Sequence, residues 1–223
     1  MIVVLEGRGF DNNIDSLASA SLVYFEDNVS VYLTAAHAVY DLFKGRFEAN
    51  IKLTLKERDI SFDVVKAYVP KGWVEAKELK YDFAFLVVEA DINSSKELTG
   101  NVTPPLFGTE DSSNHGVTVQ GYENTLFRRS VYRKFSGVAN YEYVNETGLI
   151  GIHSKNRAGM SGGSWIIETP DGNRQIAVTS ATVKGFRNVL LAVVLSKEAQ
   201  KVFEDSVHKR DSSSSSVVKA FKQ

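Results

Sequence analysis

Short apolar alternations broken by turn-forming residues constrain this chain more than any other feature of its sequence. Val29, Val31, Leu33 and Ala35 alternate with Ser30, Tyr32 and Thr34, the period of a strand with one face buried. Ile60, Phe62 and Val64 repeat the pattern, as do Val117 and Val119, then Ile176 and Val178. Between them lie Glu26-Asp27-Asn28, Lys71-Gly72 and Pro170-Asp171-Gly172-Asn173. These are turn signals, and the last reads as a hairpin. Short strands so spaced predict a sandwich or barrel and argue against βαβ units. Helical pattern is scarce. Residues 36–43 could form two turns after a strand. Ser196 to Val207 is the stronger helix: Ser196 can cap it, Glu198 suits its dipole, and Ala199, Val202 and Phe203 share one face.

The segment 91–105, rich in Asn, Ser, Gly and Pro, is the best candidate linker. It divides the chain into a first strand-rich unit at 1–95 and a second at 96–207. With 223 residues, each half can bury a core against the other. Residues 208–223 turn polar, with five serines at 212–216, and read as a flexible tail or a connection to a neighbour.

Lys and Arg number 26 against 27 for Asp and Glu, which argues against a protein that tracks phosphate backbones, so no nucleic-acid partner is expected. The local cluster Arg128, Arg129, Arg133 and Lys134 reads as a solvated hairpin face, with an acidic partner as the alternative. No window approaches the roughly 18 apolar residues of a membrane helix, and Met1 to Arg8 lacks the basic start of a signal peptide. A soluble protein is expected, its compartment left open. Cysteine is absent, which removes disulfides, a thiolate nucleophile and most zinc schemes. His115, His153 and His208 show no metal-ligand spacing. No cofactor is expected.

Three segments carry chemistry: Thr34-Ala35-Ala36-His37-Ala38, a strand end delivering a histidine; Tyr81-Asp82-Phe83-Ala84-Phe85, an aspartate heading an apolar run; and Ala158-Gly159-Met160-Ser161-Gly162-Gly163, a serine among glycines. A serine hydroxyl needs a base to become nucleophilic. Histidine, with an ordinary pKa of about 6.5, suits that role, and an aspartate on its far nitrogen fixes the tautomer. Asp41 and Asp63 compete with Asp82 for that place. Asp82 is preferred because the apolar run after it would bury the carboxylate. Gly-x-Ser-x-Gly also matches the nucleophile elbow of α/β-hydrolases, but that motif needs a following helix and downstream partners. Here strand-like Ser164-Trp165-Ile166-Ile167 follows.

Taken together and in this order, the segments resemble those around the catalytic residues of trypsin- and chymotrypsin-like serine peptidases, over about residues 15–207. The resemblance implies an all-β fold of two antiparallel six-stranded β-barrels with a C-terminal α-helix. It implies a serine endopeptidase with His37 and Asp82 from the first barrel and Ser161 from the second. It also implies an oxyanion hole from the N–H groups of Gly159 and Ser161, with Ser180 close to Asp82. A polypeptide is the implied substrate, the chain's own flanking polyprotein segments included, with Glu204 or Asp205 as a junction. A non-catalytic peptide- or partner-binding module on the same fold is the alternative.

The departures are informative. Met160 stands where digestive members carry the Asp that receives a freshly cut N-terminus, so Ile2-Val3 is not read as an activation terminus. Ala38 replaces a cysteine. Both features are similar to cysteine-free bacterial and viral members. The implied specificity pocket has walls at 153–158 and 179–182, giving Lys155, Asn156, Ser180, Ala181 and Thr182 as candidate substrate-binding residues, with His153 a further candidate. The absence of an acidic residue disfavours Lys or Arg before the scissile bond. Lys155 and Arg157 allow an acidic residue there, as in bacterial glutamyl endopeptidases.

Overall fold

The protein is described from a computed structural model, over residues 1–9, 13–89, 101–109, 116–125, 129–140, 149–155, 157–180, 188–211 and 213–221. The first part of the chain contributes β1 (Ile2–Arg8), β2 (Ile14–Glu26), β3 (Val29–Thr34), β4 (Tyr40–Asp41), β5 (Arg46–Phe47), β6 (Asn50–Leu55), β7 (Ile60–Asp63), β8 (Lys66–Pro70) and β9 (Ala84–Glu89). The second contributes β10 (Gly116–Asn124), β11 (Ser130–Val138), β12 (Ile150–His153), β13 (Ser164–Thr169), β14 (Gly172–Thr179) and β15 (Val189–Val194). Helix α1 (Lys197–Val207) and β16 (Ser216–Ala220) follow. Of the linker 91–105, residues 91–100 lie outside the described residues, as do Arg128 and His115.

Two curled antiparallel sheets form the double-barrel architecture. The first runs β16-β8-β9-β3-β2-β1-β6-β7 and the second β11-β10-β13-β14-β15-β12. The second has the expected six strands. The first has eight, because β7 and β16 lie at its two edges. Turn chemistry sets the registers. Asp27 and Asn28 both adopt positive φ, 48° and 63°, the left-handed pair that a tight two-residue hairpin demands and that Asp and Asn tolerate. Pro170-Asp171 joins β13 to β14 as the hairpin signal requires.

Three buried clusters make up most of the core. One, including Val3, Leu22, Leu53 and Leu86, fills the first barrel. Another, including Val119, Ile150, Trp165 and Ile176, fills the second, with the Trp165 indole N–H donating to Thr179 Oγ1 at 3.0 Å. The third joins the barrels: Val31, Leu33 and Phe85 of the first meet Val178, Leu191 and Val193 of the second. Helix α1 closes this interface. Ser196 Oγ accepts the Ala199 N–H, and the Phe203 ring lies 5.4 Å from Phe85 and 5.6 Å from Phe107. Among the described residues no helix is long and apolar enough to cross a membrane.

Two expectations need correction. Residues 36–43 do not form two helical turns. A single 3-10 turn at Ala36–Ala38 gives way to β4, because the Val39 carbonyl accepts the Glu48 N–H and the Phe43 and Lys44 N–H groups go to the Asp41 side chain, bonds that a continued helix would need. Nor are residues 208–223 a flexible tail throughout. β16 pairs with β8 from Ser216↔Pro70 to Ala220↔Lys66. Asp205, only 3% exposed, organises the approach: Arg210 Nη1 lies 2.7 Å from its carboxylate, and Ser213 and Ser216 donate to it. The serine-rich run is therefore partly consumed in satisfying a buried charge. Glu204 and Asp205 are helical, not the extended backbone that a protease cleft grips.

Asp205→Ala is expected to cost about 2–3 kcal/mol, the worth of a charged hydrogen-bonding centre, in urea unfolding. It should also raise amide exchange across residues 213–220. Unchanged exchange there would show that Asp205 does not hold the strand.

Candidate active site

The pairing of β3 with β9 sets the first half of the site. Thr34 lies opposite Ala84, so continuing both chains brings Asp82 across from the 3-10 turn that carries His37. The His37 backbone N–H donates to Asp82 Oδ1 at 2.9 Å, and His37 Nδ1 lies 2.8 Å from Asp82 Oδ2. A carboxylate can only accept, so Nδ1 carries the proton and Nε2 is left as a base. Ser180, from the second barrel, donates its hydroxyl to the same Oδ2 at 2.6 Å. Asp82 has no exposed surface, whereas the His37 side chain is one-third exposed. Burial pushes the imidazole pKa down, but the Asp82 charge and its hydrogen bond more than offset this and hold it above the ordinary histidine value. The competing carboxylates are employed elsewhere. Asp41 caps its own turn through the Phe43 and Lys44 N–H groups, and Asp63 is exposed on β7 beside Lys52.

The second half is the loop 157–163. The Met160 N–H bonds to the Arg157 carbonyl and the Gly163 N–H to that of Met160, a double turn with Gly159 at φ 89° and Gly162 at φ 78°. Gly162 is required by space as well as by φ: a Cβ there would lie 2.0 Å from the Ser19 carbonyl oxygen and 2.4 Å from Thr34 Oγ1. Met160 is buried against Gly121, in the apolar setting its side chain calls for. Among the described residues the N–H groups of Gly159 and Ser161 have no hydrogen-bond partner, and neither does the Ser161 hydroxyl.

Two tethers bring the halves together. The Ser19 N–H donates to the Ser161 carbonyl at 2.7 Å, while Thr34 Oγ1 donates to the Ser19 carbonyl at 2.8 Å; the Ser161 loop is thus two bonds from the strand end that delivers His37. The Gly162 N–H donates to the Thr179 carbonyl, next to the Ser180 that holds Asp82. These bonds set the Ser161 loop beside the strand end that carries His37 and beside Ser180, and His37 and Asp82 are joined by direct hydrogen bonds. Ser19, fully buried, gave no signal in the sequence. Its Oγ accepts the Tyr122 N–H at 2.8 Å and donates to the Gly159 carbonyl at 2.9 Å, so one hydroxyl fixes the direction of the Gly159 peptide. Only its place in the small-residue run Ala18-Ser19-Ala20-Ser21, where a strand must pass close to another backbone, hinted at this.

The specificity candidates fare differently. Asn156, Ala181 and Thr182 lie outside the described residues. Ser180 is buried, and its hydroxyl is committed to Asp82. Lys155 is exposed, as is His153 at the end of β12. Arg157 pairs with Glu123 at 3.0 Å, and Arg133 with the same Glu123 oxygen at 2.6 Å. These guanidinium groups hold the Glu123 carboxyl below the usual carboxylate range. Among the described residues no cluster of three or more His, Asp or Glu could hold a metal ion.

No protein-family model matches the chain, and no curated protein sequence matches it. Solved structures do. A thermostable serine protease, AL20, from an extremophilic microorganism is 18% identical, with a TM-score of 0.78 over 94% of this chain and 97% of that one. The protease Anisep from Arthrobacter nicotinovorans is 18% identical, with a TM-score of 0.75 over 93% and 95%. A Glu endopeptidase is 16% identical, with a TM-score of 0.71 over 92% and 89%. At such identities it is the architecture that is shared: this chain has the double β-barrel fold of the chymotrypsin-like serine proteases.

Proposed function

We propose that the protein is a serine endopeptidase working by acyl transfer, with Ser161 as nucleophile, His37 as general base and acid, and Asp82 as the group that orients the imidazole. The observation that carries this reading is the fully buried Asp82 carboxylate, bonded through both oxygens to His37 and through one to Ser180. With Nδ1–H fixed on Asp82, Nε2 takes the Ser161 proton as Oγ attacks the scissile carbonyl. The oxyanion that forms accepts from the unengaged N–H groups of Gly159 and Ser161. Collapse expels the amine, which takes the proton from His37. Water then repeats the sequence on the acyl-enzyme, with His37 removing its proton and Ser161 as the leaving group.

The finer reading is a preference for an acidic residue before the scissile bond. It is supported by exposed Lys155 and by Arg157 and Arg133, whose two positive charges share the single negative charge of Glu123. The fold likeness to a Glu endopeptidase points the same way.

Ser161→Ala is expected to abolish peptide turnover and labelling by a fluorophosphonate while leaving the urea midpoint unchanged. Turnover equal to wild type would end the proposal. Only neutral His37 can accept the serine proton, and its pKa is raised. The rate of cleavage, kcat/KM, is therefore expected to rise with pH through a midpoint above about 6.5, the ordinary histidine value. Asp82→Asn should lower kcat by a factor on the order of 10,000 by favouring the wrong tautomer. Gly162→Ala forces the nucleophile loop away from Ser19 and Thr34. A displacement of an ångström costs roughly a hundredfold in catalysis, and a loss of that size in kcat/KM, with the protein still folded by circular dichroism, is expected.

A further inference from the structure

A cavity of about 460 Å³ opens beside His37, on the first barrel, lined by Ser16, Tyr40, Leu42, Phe43, Glu48 and Trp73 among others. Phe43 is its unusual member. The ring is fully exposed, at 103% of its reference surface, although a phenyl group gains by leaving water. It is also held rigidly. Asp41 Oδ1 accepts the N–H groups of both Phe43 and Lys44, at 2.8 and 3.0 Å. Gly45 turns the chain at φ 62°, and β4 pairs with β5 beneath, with the Tyr40 and Phe47 rings edge to face at 5.0 Å. An aromatic ring presented on a pre-formed turn loses little freedom when a ligand covers it, which is what a binding contact needs.

We propose that this cavity receives the substrate residue that follows the scissile bond, and that it selects a large apolar side chain, packed between Phe43 and the floor formed by Tyr40 and Trp73. The proposal rests on the protease reading of His37. In that reading the imidazole hands its proton to the leaving amine, so the chain beyond the amine must pass the imidazole, and the cavity has His37 in its wall. The floor is buried and aromatic: Trp73 is 4% exposed and Tyr40 8%. Of the charged groups that line it, Asp41 and Lys44 pair at 3.3 Å and largely neutralise each other, and Glu48 is buried, at 8% exposed. Shape and apolar contact are therefore the main basis of choice.

The test uses fluorescence-quenched peptides that differ only in the residue after the scissile bond (Phe, Leu, Ala, Lys or Glu). It adds a methyl ester with the same acyl half, whose methanol leaving group is too small to reach the cavity. Wild type is expected to cleave the Phe and Leu peptides about tenfold faster, in kcat/KM, than the Ala peptide, the scale on which an apolar pocket discriminates. Phe43→Ala should remove most of that preference and leave methyl ester hydrolysis unchanged. Because the Phe43 side chain is wholly exposed, the variant should fold. Equal loss on the methyl ester, no preference in wild type, or a preference for Lys or Glu would each overturn the pocket while leaving the protease reading intact. No cleavage of any substrate, with Ser161 unlabelled by a fluorophosphonate, would overturn the protease reading and the pocket with it.

Discussion

A buried negative charge is the constraint on which the rest of this structure turns. Asp82 sits at the junction of two barrels with no contact with water. Left alone, a carboxylate in such a place costs several kcal/mol or shifts its protonation. Here three donors meet it: the His37 backbone, the His37 ring and the Ser180 hydroxyl. Two come from the first barrel and one from the second. All three donors are in place only when the barrels are docked, so the hydrogen bonds that orient the His37 ring also report correct assembly of the interface. Phe83 and Phe85, next along the chain and fully buried between the barrels, supply the apolar contact that keeps water from the carboxylate.

The loop that carries Ser161 obeys a similar logic with neutral groups. Its two left-handed glycines let the backbone turn twice within a few residues. Gly162 also lets that backbone lie against the Ser19 carbonyl and the Thr34 hydroxyl, where any side chain would collide. Ser19 completes the arrangement from β2 by bonding to Ser161, Gly159 and Tyr122 at once. A strand of the first barrel thus sets the direction of peptides that belong to the second. The peptide whose carbonyl Ser19 fixes is held at its other end too, by the Met160 N–H on the Arg157 carbonyl. Electrostatic catalysis depends on preorganisation of this kind, because dipoles already in position need not be turned as charge develops.

What could be read from sequence follows the range of the physics involved. The period-two alternation of Val29, Val31 and Leu33 is local, and it fixed the strand; the half-buried reading fails, because Ser30, Tyr32 and Thr34 are buried too, with the barrel core on one face and the interface on the other. Asp27-Asn28 and Pro170-Asp171 announced their turns because backbone strain is local too. His37, Asp82 and Ser161 stood out because chemistry restricts which residue types can do the work. The failures are all long-range. Residues 36–43 carry a helical composition, yet the Glu48 N–H, from beyond the β4–β5 turn, takes the Val39 carbonyl and the helix does not continue past one turn. The serine run at 212–216 looks like a disordered tail by composition, but a buried Asp205 and the open edge of β8 give it partners. Ser19 has no sequence signature, since what it does depends on two segments more than a hundred residues away.

The edge strand β16 shows how these levels join. An open edge on β8 presents unpaired N–H and C=O groups, which proteins normally cover or blunt. The chain covers it with its own later residues, and Asp205 at the end of α1 anchors them. The same helix inserts Phe203 between Phe85 of the first barrel and Phe107 of the segment that leads to the second. The path from β16 through α1 to Phe85 therefore braces β8 and β9, which carry the chain to and from Asp82. Loosening the C-terminal strand would weaken that support three strands from Ser19, without touching any residue that meets substrate. Position at the site is thus held at a distance, by pairing that gives the first barrel eight strands where six would close it.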